Sequence, residues 1–146
     1  MKRSGRVSYH LCRLLLGAVF VWAGAVKALD APAFAGQVAA YQLLPYAWNY
    51  TVAATLPYVE LLAGALLLVN VRVKPAALLL MLLNALFILV LASVVARGLT
   101  IDCGCFGPDA GTTPLQALGR DALLLALAVA VYRQGDRYLP PSAARS

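Results

Sequence analysis

The strongest constraint on this chain is the run from Pro75 to Ala96, which contains no charged residue. At about 1.5 Å of rise per residue, a helix of that length matches the roughly 30 Å hydrocarbon core of a bilayer. Three other stretches share its character. Leu14–Val26 is free of charge, and Val52–Val71 is broken mainly by Glu60 and Asn70. Pro114–Tyr138 becomes one helix if Pro114 opens it behind a Thr113 cap, and it qualifies as a span if Arg120 and Asp121 sit near a surface. Only 12% of the 146 residues are charged, 62% are hydrophobic, and the mean hydropathy is +0.80. Soluble domains carry roughly 25% charged residues, so this chain cannot cover a core in water. The pattern predicts an all-α integral membrane four-helix bundle in the lipid bilayer. It forms one domain over residues 1–146, with spans near 9–29, 52–71, 75–96 and 114–138.

The net charge of +6 and pI of about 9.6 do not point to nucleic acid, because the basic residues flank the apolar runs. Lys2, Arg3, Arg6 and Arg13 precede the first span, Arg72 and Lys74 join the second to the third, and Arg133, Arg137 and Arg145 follow the fourth. The opposite side has Lys27, Arg97 and Arg120. Cytoplasmic loops carry the excess of Lys and Arg. The asymmetry therefore predicts a multi-pass protein of the inner (cytoplasmic) membrane with both termini cytoplasmic and the loops 30–50 and 98–113 outside. The N-terminus mimics a secretory leader, with Ala33-Phe34-Ala35 as a cleavage site. Its apolar run is too long and Lys27 interrupts the approach, so no cleavage is expected.

Asp30-Ala31-Pro32 reads as a helix entry, and Phe34, Val38 and Tyr41 recur near helical spacing. A short interfacial helix is expected from about Pro32 to Leu43, ending before Pro45. Tyr41, Tyr46, Trp48 and Tyr50 suit headgroup-level anchoring. Glu60, placed about two turns inside the second span, needs a partner, a proton or a polar cavity. Lys27 is its expected partner, with Arg97 and Arg120 as alternatives. An ion pair that locks the bundle and a proton relay are both open at this point. Asn84 is expected to bond between helices. Gly17, Gly24, Ala28 and Gly64 allow close backbone approach.

Two of the three cysteines lie in Asp102-Cys103-Gly104-Cys105-Phe106-Gly107, where the chain must turn between the last two spans. On the outer side disulfides persist. A bond across one intervening residue is a strained, relatively oxidising one. Gly104 and Gly107 give the turn access to positive φ. Lys27, Arg97 and Arg120 would favour thiolate, and Asp102 would oppose it. A redox pair, a structural disulfide and a soft Cu(I) site compete. The small ring makes a poor staple, zinc would want four ligands, and His10 lies on the other side, so no metal is assigned. Cys12 lies about 20 Å from the pair along the first span and cannot bond with it.

The chain resembles the DoxX-like membrane proteins, in particular their MauE (methylamine utilisation) branch. The residues that carry the resemblance are Arg13, Leu16-Gly17, Phe20, Ala23-Gly24, Lys27, Asp30, Pro32 and Phe34, then Tyr41, Leu44-Pro45, Leu56-Pro57, Glu60 and Gly64. Gly98, the Asp102–Gly107 hexapeptide and Arg120-Asp121 complete the set. The resemblance implies a four-helix membrane bundle that works with a thioredoxin-like extracytoplasmic partner. In methylamine systems that work serves the maturation of a disulfide-rich subunit. Cys103 and Cys105 are then the catalytic pair, supported by Asp102, Gly104, Phe106, Gly107, Lys27, Glu60, Arg97, Arg120 and Asp121. Quinone in the bilayer or a separate protein would reoxidise the pair. The rival expectations are a non-enzymatic scaffold for a redox or secreted client, and a quinone- or small-solute-binding subunit built around Glu60.

Overall fold

Asp30 ends one helix and starts the next, and that turn organises one end of the bundle. Its Oδ1 accepts from Ala33 N at 3.1 Å, with Pro32 in the first turn. The computed structural model describes residues 2–99 and 113–138. Among them are α1 (Lys2–Leu29), α2 (Ala31–Ala40), α3 (Tyr46–Leu68), α4 (Val73–Ala96) and α5 (Pro114–Tyr138), with no strand. The four long helices are each long and apolar enough to cross a membrane. Trp22, Leu62, Leu82, Leu89 and Leu123 are largely exposed on their outer faces. So much exposed apolar surface would be a liability in water and is what lipid requires.

α1, α3, α4 and α5 run alternately up and down, so α1 is parallel to α4 and α3 to α5. The end that carries α2, the starts of α3 and α5 and the finish of α4 is called the α2 end below. A dry core fills the opposite half, where Leu16, Phe20, Leu67, Leu80, Ala128 and Val131 pack together. At the α2 end, Phe34 and Val38 pack on Ala53 of α3, while Tyr41 reaches Leu91, Val94 and Ala117 of α4 and α5. α2 therefore lies on α3, and Tyr41, the residue that caps it, carries the chain across to α4 and α5.

The turns follow local chemistry. Asn70, with φ 60°, ends α3: Val71 N reaches back to Leu66 O at 3.0 Å and Asn70 N to Leu67 O at 3.3 Å. Asn is among the few residues that enter the left-handed region readily. Gly98, with φ 67°, closes α4 in the same way, through Leu99 N to Val94 O at 3.2 Å. Thr113 and Gln116 open α5 as a reciprocal capping box, at 3.4 Å and 3.3 Å.

Three expectations need correction. α3 begins at Tyr46 rather than near Val52, because Pro45 sets its entry and Asn49 is buried rather than looped out. Glu60 is thus roughly 20 Å, not two turns, from the start of its helix. α2 stops at Ala40 rather than Leu43, since Gln42 has φ 52°. Tyr41 is not an interfacial anchor: it is buried, whereas Tyr46, Trp48 and Tyr50 are exposed.

Candidate functional site: a buried charge cluster

α1 and α3 approach until their backbones touch, and this contact sets the site. A Cβ on Gly17 would fall 2.9 Å from Gly64 O, and one on Gly24 would fall 2.7 Å from Pro57 O. No side chain fits there, as small-residue packing of membrane helices predicts. One turn beyond Gly24, the same seam brings Lys27 against Glu60. Lys27 Nζ donates to Oε1 at 3.0 Å and to Oε2 at 2.8 Å. The two residues are 5% and 1% exposed, so both charges are removed from bulk water. Lys27 also lies between two aromatic rings, 4.9 Å from the centroid of Phe87 and 5.4 Å from that of Phe34. The ammonium is thereby held by a carboxylate and two π-faces.

A second pair comes from α5. Arg120 donates through Nε and Nη2 to Asp121 Oδ1, at 3.1 Å and 3.0 Å. Adjacent helix residues normally point apart, and the reach of the arginine allows its guanidinium to fold back. α4 joins through Asn84, whose Nδ2 donates to the Asp121 carbonyl at 2.7 Å. Lys27, Glu60, Asn84, Arg120 and Asp121 all line one cavity of about 30 Å³, closed by Phe20, Phe87 and other apolar side chains. All four long helices contribute a polar group to it. Such a space admits a water molecule and no ring-sized ligand. The formal charges balance, two positive against two negative. A balanced, paired cluster is the form in which ionisable groups are tolerated inside a bilayer.

Of the predicted site residues, the structure brings Lys27, Glu60, Arg120 and Asp121 together. Arg97 stays apart at the end of α4. Its Nη2 donates to Tyr41 O at 2.6 Å and its Nε to Ser93 O at 3.2 Å, so it does not serve as the partner of Glu60. Asp102, Cys103, Gly104, Cys105, Phe106 and Gly107 lie outside the described residues. Cys12 packs beside the core in the opposite half.

Arg13 and Phe87 carry more than the sequence suggested. Arg13, counted as a flanking charge, is buried, and its Nη1 donates to Leu67 O at 2.7 Å in the last turn of α3. That carbonyl already accepts from Asn70 N in the closing turn and has a second lone pair for the guanidinium, and a cation also suits that end of the dipole. Phe87 looked like one apolar residue among many. Its only signal was its place three positions from Asn84, on the same helix face.

No curated protein and no solved structure matches the chain. The family described as methylamine utilisation protein MauE matches residues 6–133, which take in the glycine seam, the charge cluster and the segment between α4 and α5. The chain belongs to the MauE family.

Proposed function

We propose that this protein is a membrane-embedded thiol–disulfide redox component that works with a thioredoxin-like protein outside the cytoplasm. The observation that carries the reading is the Cys103-Gly104-Cys105 pair in the segment joining α4 to α5, at the end where the charge cluster lies. The same reading puts this end on the extracytoplasmic face of the inner membrane and both termini in the cytoplasm. The Lys and Arg excess at the opposite end supports that orientation. It also places the MauE family within a wider DoxX-like group.

In the exchange, a thiolate of the reduced partner attacks one sulfur of the Cys103–Cys105 disulfide. The other cysteine leaves as thiolate, and a mixed disulfide forms. The partner's second thiolate then attacks its own sulfur in that bond, leaving an oxidised partner and a reduced pair. Two electrons and two protons have moved to this protein. A quinone in the bilayer accepts both and becomes hydroquinone, which restores the disulfide. The cavity at Glu60 is too small for that quinone, so the acceptor would meet the pair elsewhere. Arg97 adds positive charge at this end and favours thiolate, against Asp102, while Lys27 and Arg120 are balanced by their carboxylate partners. Glu60 and Asp121 hold those two cations in place. Gly104 and Gly107, beside Phe106, supply the backbone freedom of the turn. The clients are exported proteins whose cysteines must pair correctly. The family's description points to methylamine utilisation as one setting.

The test is a single replacement, Cys105→Ser or Cys103→Ser, in the full chain in cells. One of them should trap a mixed disulfide with a thioredoxin-like protein, seen as a band that reduction removes. The double Ser variant should lose the adduct and client maturation while still folding, since the small ring adds little stability. Full client maturation by the double Ser variant would reject the reading in favour of a docking scaffold.

A further inference from the structure

A second feature of the α2 end shares Arg97 with the thiol reading but does not depend on that reading. Between α3 and α4, beneath α2, the helices part around a pocket of about 390 Å³. Phe34, Val38, Leu56, Leu86 and Phe87 are among its walls, and Tyr41 and Thr55 supply the polar side chains. Thr55 spends its hydroxyl proton on Thr51 O at 2.8 Å, so the interior offers little to water. An apolar cavity of about 150 Å³ stays dry and takes up hydrocarbon. This pocket is more than twice that size and partly open, so in a chain that spans a membrane it can take up hydrocarbon from the bilayer.

Arg97 gives the pocket a charged border. It donates to the carbonyl of Tyr41, a wall residue, and is itself exposed at the end of α4. Among the described residues its acceptors are uncharged oxygens: Tyr41 O, Ser93 O and Ser93 Oγ. Those bonds use Nε and Nη2 and leave the Nη1 hydrogens for a further acceptor. The bonds to Tyr41 O and Ser93 O hold this guanidinium at the end of α4. A dry slot for a chain beside a cation at the headgroup level describes one kind of molecule. We propose that the pocket is a lipid site that takes an acyl chain of an anionic phospholipid, with the phosphate on Arg97.

The test uses the full-length protein, stripped of lipid in detergent and mixed with vesicles of equal phosphatidylglycerol and phosphatidylcholine. Native mass spectrometry then reads the lipid each chain retains. One phospholipid should remain bound, with phosphatidylglycerol preferred about tenfold. Arg97→Gln should keep a lipid but lose the preference, and Arg97→Lys should restore part of it. Leu86→Trp, which fills the slot from its exposed side, should lose the retained lipid. Val90→Phe fills the same space from α4 and replaces that variant if it does not fold. Equal retention of both lipids, no retained lipid, a prenylquinone retained instead, or unchanged binding by the filled pocket would each overturn the proposal.

Discussion

α3 faces two neighbours and meets them by opposite rules. Against α1 it is drawn in until glycine backbones touch, Gly17 to Gly64 and Gly24 to Pro57, and the seam ends in the Lys27–Glu60 pair. Against α4 it diverges from the α3–α4 turn and leaves an apolar hollow under α2. Lipid is as apolar as leucine, so apolar side chains alone do not tell one membrane helix face from another. Shape and charge do. The α1–α3 seam has both and is specified, while the upper α3–α4 face has neither and is left to hydrocarbon.

The difference should appear most strongly when one half of the charge pair is removed. Glu60→Leu or Lys27→Met leaves a lone buried charge and should cost about 3–5 kcal/mol. The double replacement should cost clearly less than the sum of the two. Unfolding of the four variants in detergent micelles measures this coupling, and additive losses would contradict a direct pair.

Next in size are the glycines. Gly64→Ala places a methyl 2.9 Å from both Gly17 O and Val21 N, and helix backbones must move to admit it. A loss of about 1–3 kcal/mol is expected. Gly36→Ala meets nothing within 4 Å and should leave stability unchanged or slightly raised. Equal effects from the two substitutions would remove the seam's claim to be specified by shape.

The smallest effect belongs to the hollow. Leu86→Ala deletes side-chain volume from a wall that lipid can refill and should cost less than about 1 kcal/mol. Leu67→Ala, in the fully buried core, should cost about 2–5 kcal/mol. A large loss at Leu86 would mean that α3 and α4 are packed there by their own side chains.

The seam could be read from the sequence because its signals are rare in apolar helices. A glutamate, a lysine and spaced glycines stand out where almost every other residue is Leu, Ala or Val. Asp30-Ala31-Pro32 and Thr113-Pro114 marked helix starts for the same reason, since caps have their own residue chemistry. The start of α3 was misplaced because Asn49-Tyr50-Thr51 looks like a loop, yet a buried asparagine sits in a helix there. The hollow left no signature at all: Leu83, Leu86 and Val90 have the same composition whether they face lipid or a pocket. Arg13 was misread because a charge near a terminus is usually topological, and only packing shows it bonded to the end of α3.

The Cys103–Cys105 pair carries the proposed exchange, and its redox state in intact cells tests the central claim most directly. In the proposed orientation, membrane-impermeant alkylation before and after reduction should read Cys103 and Cys105 and leave Cys12 untouched. The account predicts labelling from outside and an oxidised-to-reduced ratio that shifts when the thioredoxin-like partner is removed and returns when it is restored. A pair that stays fully oxidised whatever the partner does, or that is labelled only from the cytoplasmic side, would contradict it.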